Sequence, residues 1–419
     1  MRKLQASWKS LAWGDGRVVG FANNLFPKIV SACLYQISEN WISDLMNSER
    51  SSSDSQSCVR VQLGDRSYDI EISSGEVGRF VDLILEAIPD LSHALLISDE
   101  AVKSPWADQL KVAFEQKAVA VRVSETSVQS GEGSKSIEEF NRLLQWILAE
   151  GGDRKSVVIA VGGGVIGDLA GYVAASFARG VRFVQVPTTL LAMVDSSVGG
   201  KTGINLPTAK NMVGAFWQPS LVLIDSDVLS TLPDRSYLSG LAEVVKYGVI
   251  DDADFFSWLE ANALHLVNRQ SDAVRYAIEK SCESKARVVG EDERETSGRR
   301  AILNYGHTFA HAIEATCGYG KLLHGEAVSI GMEMAARLAQ RLGLVSDDLL
   351  ERQTRLLKEC RLPVVLAEAD PDQMLPVMMR DKKVEHGKLR FILPSRIGAV
   401  DLVGDVDQKF VREVILETR

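Results

Sequence analysis

Between residues 94 and 225 the chain repeats one pattern that leaves few folds open. A short, almost wholly apolar run gives way to a stretch of helical periodicity, and then another such run follows. The runs are ALLIS (94–98, closed by Asp99), AVAVRV (118–123), SVVIAV (156–161), VRFVQV (181–186) and LVLID (221–225), with a helix expected over 136–149 between the second and third. Strands apolar along their whole length are buried on both faces, and strands separated by helices run parallel. The expectation is a doubly wound α/β sheet with helices on both sides. Ahead of it, VRVQLGDRSYDIEI (from Val59) alternates apolar and polar residues about Gly64-Asp65, which reads as a hairpin, and a helix is expected over 78–87. Past Asp227 the period changes. Helices are expected at 236–249, 252–267, 271–290, 305–316, 324–342 and 347–359, and only KLRFIL (388–393) and AVDLV (399–403) return to strand. The chain thus divides into an N-terminal extension (1–57), an α/β domain (58–227) and a mostly helical domain (228–419), joined near Ser226–Pro233.

The extension differs from the rest. It holds Trp8, Trp13 and Trp41, is rich in basic residues at its start, and ends in the polar run from Ser48 to Ser57. An added arm or an upstream start accounts for it without a cleavage signal; organellar (plastid) import is the competing reading. The 419 residues carry 47 Lys+Arg against 56 Asp+Glu, a formal charge of −9. That balance argues against a nucleic-acid binder or a partner of anionic membranes. The longest apolar and glycine run near the middle, Val157 to Gly167, is too short to span a bilayer. The five cysteines (33, 58, 282, 317, 360) show no CxxC spacing, which fits a reducing compartment, the cytoplasm, and no cysteine metal site.

Three segments carry chemistry. The strand SVVIAV runs directly into Gly162-Gly163-Gly164-Val165-Ile166-Gly167-Asp168. Glycines let backbone N–H groups approach a phosphate, a helix N-terminus favours negative charge, and the carboxyl edge of such a sheet is where ligands sit. A nucleotide is the reading favoured here, although glycines also serve close strand-to-helix packing. Asp99, at another strand end, could accept ribose hydroxyls or simply cap the next turn.

The second segment is a histidine cluster. Of six histidines, His307, His311 and His324 fall close together, the first two spaced i,i+4 on one helix face. Such a cluster favours a metal or proton-transfer site. A zinc site of two histidines and one acid needs a carboxylate. Glu243, three residues before Lys246 on an apolar helix, and Glu326, which could instead cap its own helix, are both candidates. The third is 187–219, a polar, glycine-rich connection with Asp195, Lys201, Lys210 and Asn211; with Arg300 and the pair Lys382-Lys383 it offers cations for a phosphate or carboxylate.

From about Val59 to Val403 these stretches resemble the 3-dehydroquinate synthase family of sugar phosphate cyclases. The likeness rests on GGGVIGDLAGYVAASFARGVRFVQVPTTLLAMVDSSVGGKTGIN, KNMVGAFWQP, LPDRSYLSGLAEVVKYGVI, LNYGHTFAHAIEA, GYGKLLHGEAV and DKKVEHGKLRFIL. It implies a Rossmann-like NAD-binding domain followed by a helical metal-binding domain. It places the metal, zinc or alternatively cobalt, on Glu243, His307 and His324, so that His311 becomes a phosphate-contacting and proton-transfer residue. For NAD it implies Asp99, Glu132 and Lys135. To these it adds Gly163, Gly164, Val165, Ile166, Gly167 and Asp168 of the glycine loop, then Thr188, Thr189, Lys201 and Lys210. The turn Val228, Leu229, Ser230, Thr231 completes that set. As catalytic residues it implies Asp195, Lys201, Asn211, Lys246, Arg300 and His311, and as further substrate contacts Lys285, Asn304 and Lys382 or Lys383. Arg179 matches a residue that reaches a neighbouring subunit's site, which implies a homodimer. Three departures stand out: the extension, a missing proline before the Glu132 loop, and one extra residue in DERETSGRR that leaves Arg299 or Arg300 as the match.

The reaction implied is the NAD-dependent closure of 3-deoxy-D-arabino-heptulosonate 7-phosphate to 3-dehydroquinate with loss of phosphate. It proceeds by transient oxidation, elimination, reduction, ring opening and aldol closure, as a lyase step of the shikimate pathway to chorismate and the aromatic amino acids. Another sugar phosphate cyclase, or a metal-dependent polyol dehydrogenase of related fold, is the alternative.

Overall fold

The computed structural model describes residues 56–207, 209–318, 320–380 and 389–419. Most of the extension, and Lys382 and Lys383, therefore lie outside the described residues. Eleven strands occur among them: β1 (Ser57–Val61), β2 (Tyr68–Ser73), β3 (His93–Asp99), β4 (Arg122–Val128), β5 (Ser156–Gly162), β6 (Arg182–Pro187), β7 (Lys201–Leu206), β8 (Ala209–Phe216), β9 (Leu221–Asp225), β10 (Phe391–Arg396) and β11 (Ala399–Val403). Seven form one sheet in the order β1-β2-β9-β6-β5-β3-β4. β1 pairs antiparallel with β2, and every other pairing in that sheet is parallel. Its α/β helices are α1 (Val77–Ala87), α2 (Asp108–Lys117), α3 (Ile137–Ala149) and α4 (Gly164–Ser176). The central strands β3, β5 and β9 are buried almost residue for residue, as their unbroken apolar runs demand.

The second half is helical: α5 (Asp234–Ile250), α6 (Ala253–Val267), α7 (Ser271–Glu291), α8 (His307–Cys317), α9 (His324–Arg341), α10 (Asp347–Glu359), α11 (Pro371–Arg380) and α12 (Gln408–Glu417), with β10 and β11 as a separate antiparallel pair. The turn joining the halves is a short 3-10 helix, Ser226–Thr231, in which the Asp225 side chain caps the Asp227 N–H. The largest apolar core is shared. Val59, Val61, Tyr68, Ile70 and Ile72 of the hairpin and Val222 and Ile224 of β9 join the helices' own residues in it. No described helix is long and apolar enough to cross a membrane.

Two expectations are corrected. The strand read at 118–123 is displaced to Arg122–Val128. Ala118 closes α2 through an N–H bond to Phe114 O, Val121 N–H turns back to Ala118 O, and Val119 is 86% exposed. The true strand, RVSETSV, is a sheet edge; a strand covered on one side only needs no continuous apolar run. Second, the connection 187–219 is not simply a loop, because it folds into the antiparallel hairpin β7–β8. Its glycines are needed by that pairing: a Cβ on Gly214 would come 2.0 Å from Thr202 O. Local glycine content hid the strands because glycine ordinarily disfavours them.

Candidate active site

Helix α5 is buried along nearly its whole length, and this carries two charges into the interior. Glu243 is 0% exposed and Lys246, one turn on, is 1% exposed; the two form an ion pair. Neither carboxylate oxygen of Glu243 accepts a hydrogen bond. Oε1 instead faces His307 Nε2 at 3.5 Å and His324 Nε2 at 3.6 Å. One ligand atom from each of Glu243, His307 and His324 lies within 4.8 Å of the others. The far nitrogens fix the rings. His307 Nδ1–H donates to Tyr305 O at 3.0 Å, and His324 Nδ1 faces Glu314 Oε1 at 3.4 Å. Both Nε2 atoms are thus turned toward Glu243, the arrangement that orients imidazoles on a metal. An unbonded buried carboxylate and two aimed imidazoles make a donor set suited to zinc or cobalt.

The electrostatics agree with a cation site. Burial opposes charge on Glu243, but Lys246 outweighs it and holds the carboxyl at about 2. Burial pushes His307 well below its usual value, so its ring stays neutral. Burial also works against a charged His324, yet the carboxylates of Glu243 and Glu314 beside its two ring nitrogens carry it up to about 10. Without a metal, a proton on His324 supplies the positive charge that the two acids attract.

This cluster opens onto a cavity of about 630 Å³ between sheet edge and helices. Of the residues expected there, Asp168, Asp195, Lys201, Asn211, Lys246, Lys285, Arg300, Asn304, His307 and His311 line it. The His307 and His311 rings stand 5.7 Å apart, with His311 on the cavity side rather than in the Glu243 group. Lys285 Nζ donates to Asp195 O and Oδ1, each at 2.6 Å, and the Tyr247 hydroxyl reaches the same carboxylate at 3.1 Å. Burial draws Lys285 down to about 8 despite that partner, while Asp195 is held below its usual range because Lys285 and Lys246 outweigh its burial. Arg300 is 2% exposed and lines the cavity, whereas Arg299 lies outward against Glu291 at 2.6 Å. Geometry therefore favours Arg300 of the two.

Two residues escaped the sequence reading. Glu295 lines the cavity and pairs with Lys201; the irregular spacing of DERETSGRR masks it. Glu314, behind His324, was legible in principle, since it follows His307 by seven residues and so shares its helix face. Glu326 is settled as a cap: it accepts Leu323 N–H at 2.8 Å and pairs with Arg235.

The remaining expected residues surround the carboxyl ends of the strands. Helix α4 starts at Gly164 with no side-chain cap at Gly163, leaving its N-terminus suited to an anion. Packing also demands these glycines: a Cβ on Gly164 would stand 2.8 Å from Ser196 Oγ, and one on Gly167 2.7 Å from Gln185 Oε1. Asp99 does cap the following turn, accepting Ala101 N–H at 2.9 Å, and also takes the Ser130 hydroxyl. Lys135 is buried, donating to Asp168 at 2.7 Å and to Asn211, and Glu132 accepts from Asn205 at 2.7 Å. Thr188 and Thr189 follow β6, Lys210 lies on β8 near Glu314, and Thr231 accepts Trp106 Nε1–H at 3.2 Å beside Val228, Leu229 and Ser230. Arg179 is exposed, outside the cavity lining, in a turn where Ala178 and Arg179 both take positive φ.

The architecture has close counterparts. A 2-deoxy-scyllo-inosose synthase complexed with carbaglucose-6-phosphate, NAD⁺ and Co²⁺ superposes with a TM-score of 0.78 at 28% identity, over 87% of this chain and 100% of that one. The 2-epi-5-epi-valiolone synthase of Streptomyces hygroscopicus subsp. jinggangensis, with NAD⁺ and Zn²⁺ bound, gives 0.77 at 29% identity, over 85% and 98%. Fold and site thus define the sugar phosphate cyclase class. Within it, residues 125–239 match the model of the 3-dehydroquinate synthase N-terminal region and 240–384 that of its C-terminal region. A 3-dehydroquinate synthase of Rhodopirellula baltica is 59% identical over 366 residues, 86% of this chain and 97% of the relative. The chain belongs to the 3-dehydroquinate synthase family.

Proposed function

We propose that this cavity converts 3-deoxy-D-arabino-heptulosonate 7-phosphate to 3-dehydroquinate and phosphate, as an NAD- and metal-dependent carbon–oxygen lyase. One observation carries the reading. The Glu243/His307/His324 group and the cations Lys201, Lys246, Lys285 and Arg300 converge on one cavity at the carboxyl edge of the sheet. NAD would lie along that edge, against Asp99, Glu132, Lys135, the 163–168 loop, Thr188, Thr189, Lys210 and 228–231; it supplies a hydride acceptor that is restored within each turnover. A zinc or cobalt ion held by Glu243, His307 and His324 supplies Lewis acidity toward the substrate's hydroxyls. We assign 58–227 to the cofactor and 228–419 to metal and substrate.

The chain's own residues do the positioning. Lys285 and Arg300 hold the substrate carboxylate, and Lys201, Asn211, Asn304 and His311 hold the phosphate. Lys246 keeps Glu243 charged and faces Asp195 at 3.9 Å, so both acids stay ionised beside the reacting hydroxyls. His311 is placed to move a proton at the leaving phosphate. Fixing both ends of one flexible substrate lets elimination, ring opening and aldol closure share a single geometry. Arg179, exposed on its turn, is assigned to the site of a second copy in a homodimer. Four described cysteines are free thiols, which suits the cytoplasm.

The test is release of inorganic phosphate from the heptulosonate phosphate with NAD and metal, with and without chelator. Chelator-sensitive release without net NADH supports the reading. Net NADH formation from a polyol would indicate a dehydrogenase instead, and no phosphate release would sink the assignment.

A further inference from the structure

We infer that Arg269 is a positioning residue for the cofactor: from the helical half it clamps the turn Ser226–Thr231 that follows β9, and so sets the backbone against which NAD would lie. The inference deepens the reading of residues 228–231 as part of the NAD site and rests on it.

Arg269 closes the end of α6. Gln270 N–H donates to His265 O at 3.0 Å and Arg269 N–H to Leu266 O at 2.9 Å, the paired bonds of a Schellman cap. The residue at this position of the cap takes the left-handed conformation, and Arg269 has φ of 54°. Glycine is the usual occupant there, because a Cβ is disfavoured at positive φ. The chain instead keeps a long cationic side chain where the helix end asks for none. Such outliers cluster at functional sites, where the surrounding structure holds them in place.

The contacts of the side chain account for it. Its two terminal nitrogens donate to Leu229 O and, at 2.8 Å, to Leu232 O. The second of them also donates to Asp234 Oδ1 at 2.7 Å. The guanidinium carbon stands 4.5 Å from the centre of the Tyr237 ring, and the Tyr237 hydroxyl donates to Leu266 O at 2.7 Å. The ring under the guanidinium is thus tied to the same end of α6. The planar fork is held on one face by an aromatic ring and spends its donors on the turn.

The turn stands directly after β9, at the carboxyl edge of the parallel sheet, where dinucleotides lie across such folds. Its hydroxyls are folded inward: Ser230 donates to Asp227 O at 2.6 Å and Thr231 to Val228 O at 2.9 Å. Leu229 O otherwise receives the Leu232 N–H at 3.2 Å, at the long end of the normal range. One guanidinium bridging the carbonyls of Leu229 and Leu232 fixes the peptide planes between them. A surface made of backbone offers a ligand its geometry, and a turn already held in one conformation costs less to order on binding. Arg269 therefore acts on NAD through the turn, without touching it.

The test is calorimetric titration of the full chain with NAD. Arg269→Lys keeps the charge but loses the fork, and the dissociation constant for NAD is expected to rise about tenfold, the scale of one hydrogen bond. Arg269→Gly removes the clamp while suiting the positive φ of the helix cap, so it should weaken NAD at least as much with the end of α6 relaxed. Asp234→Asn removes the ion pair and leaves the carbonyl bonds. The Asp234 side chain is 92% exposed, so NAD affinity should stay within about twofold of the parent's. In phosphate-release assays the loss should appear in the KM for NAD, with kcat restored at saturating NAD and bound metal unchanged. An equal loss in Asp234→Asn overturns the inference, because charge and not the clamp would then set the affinity. If the parent binds NAD and both Arg269 variants bind it equally well, the inference alone falls. If the parent itself takes up no NAD, the cofactor reading falls and the inference with it.

Discussion

The buried pair on α5 makes a quantitative demand on stability. Lys246→Met keeps most of the side chain's volume but removes the ammonium that faces Glu243. Glu243 is then left fully buried, with no hydrogen bond to either oxygen, the neutral His307 ring at 3.5 Å and the protonated His324 at 3.6 Å as its one remaining cation. Breaking a buried pair by removing one partner costs about 3–5 kcal/mol. The carboxyl itself gives a compatible scale: held at about 2 against an ordinary 4.5, it favours its charged form by about 3 kcal/mol. Because that value is lowered on folding, the contribution is present above pH 4.5 and is lost as pH falls toward 2. Urea unfolding of chelator-treated protein at pH 7 should therefore show Lys246→Met less stable by about 3 kcal/mol. Glu243→Gln combined with Lys246→Met removes both charges and should recover most of the loss, since neutral replacement of a buried pair is often harmless. A Lys246→Met variant within about 1 kcal/mol of the parent, the scale of an exposed ion pair, would refute the reasoning.

Two further outcomes separate the roles of neighbouring groups. His307→Ala should lose bound metal, while His311→Ala should retain it and turn over slowly; metal content measured beside phosphate release decides, and loss of metal from both would remove His311 from its assigned role. Burial brings Lys285 down to about 8, so its ammonium is lost as pH climbs through that value. KM for the heptulosonate phosphate should accordingly rise above pH 8, and a Lys285→Arg variant, charged throughout, should flatten that rise.

The parallel sheet was legible because buried strands must be apolar on both faces, and β3, β5, β6 and β9 lie where their runs placed them. The edge strand β4 was not, since SETS carries no such constraint. The histidine cluster was legible from its scarcity alone. What residue spacing left open was which histidines and which acid act together. That depends on α5 meeting the starts of α8 and α9, a long-range contact with no local signature. Glu295 and Glu314 were missed for the same reason: their roles come from what faces them. The sequence also suggested a strongly basic pocket, but each of the four cations lining it stands beside an acid.

The hairpin β1–β2 shows why the two halves are not exchangeable cassettes. It is the outer end of the sheet, yet its apolar residues lie in the same core as the helices, and the Tyr68 hydroxyl accepts Gly199 N–H at 3.0 Å beside the cavity. A recombination joint at the connecting 3-10 turn would leave an unfamiliar hairpin face against the incoming helices. Such a chimera inherits a mismatched interior even when both parents share the fold. For this architecture the workable unit of inheritance is the hairpin together with the helical half.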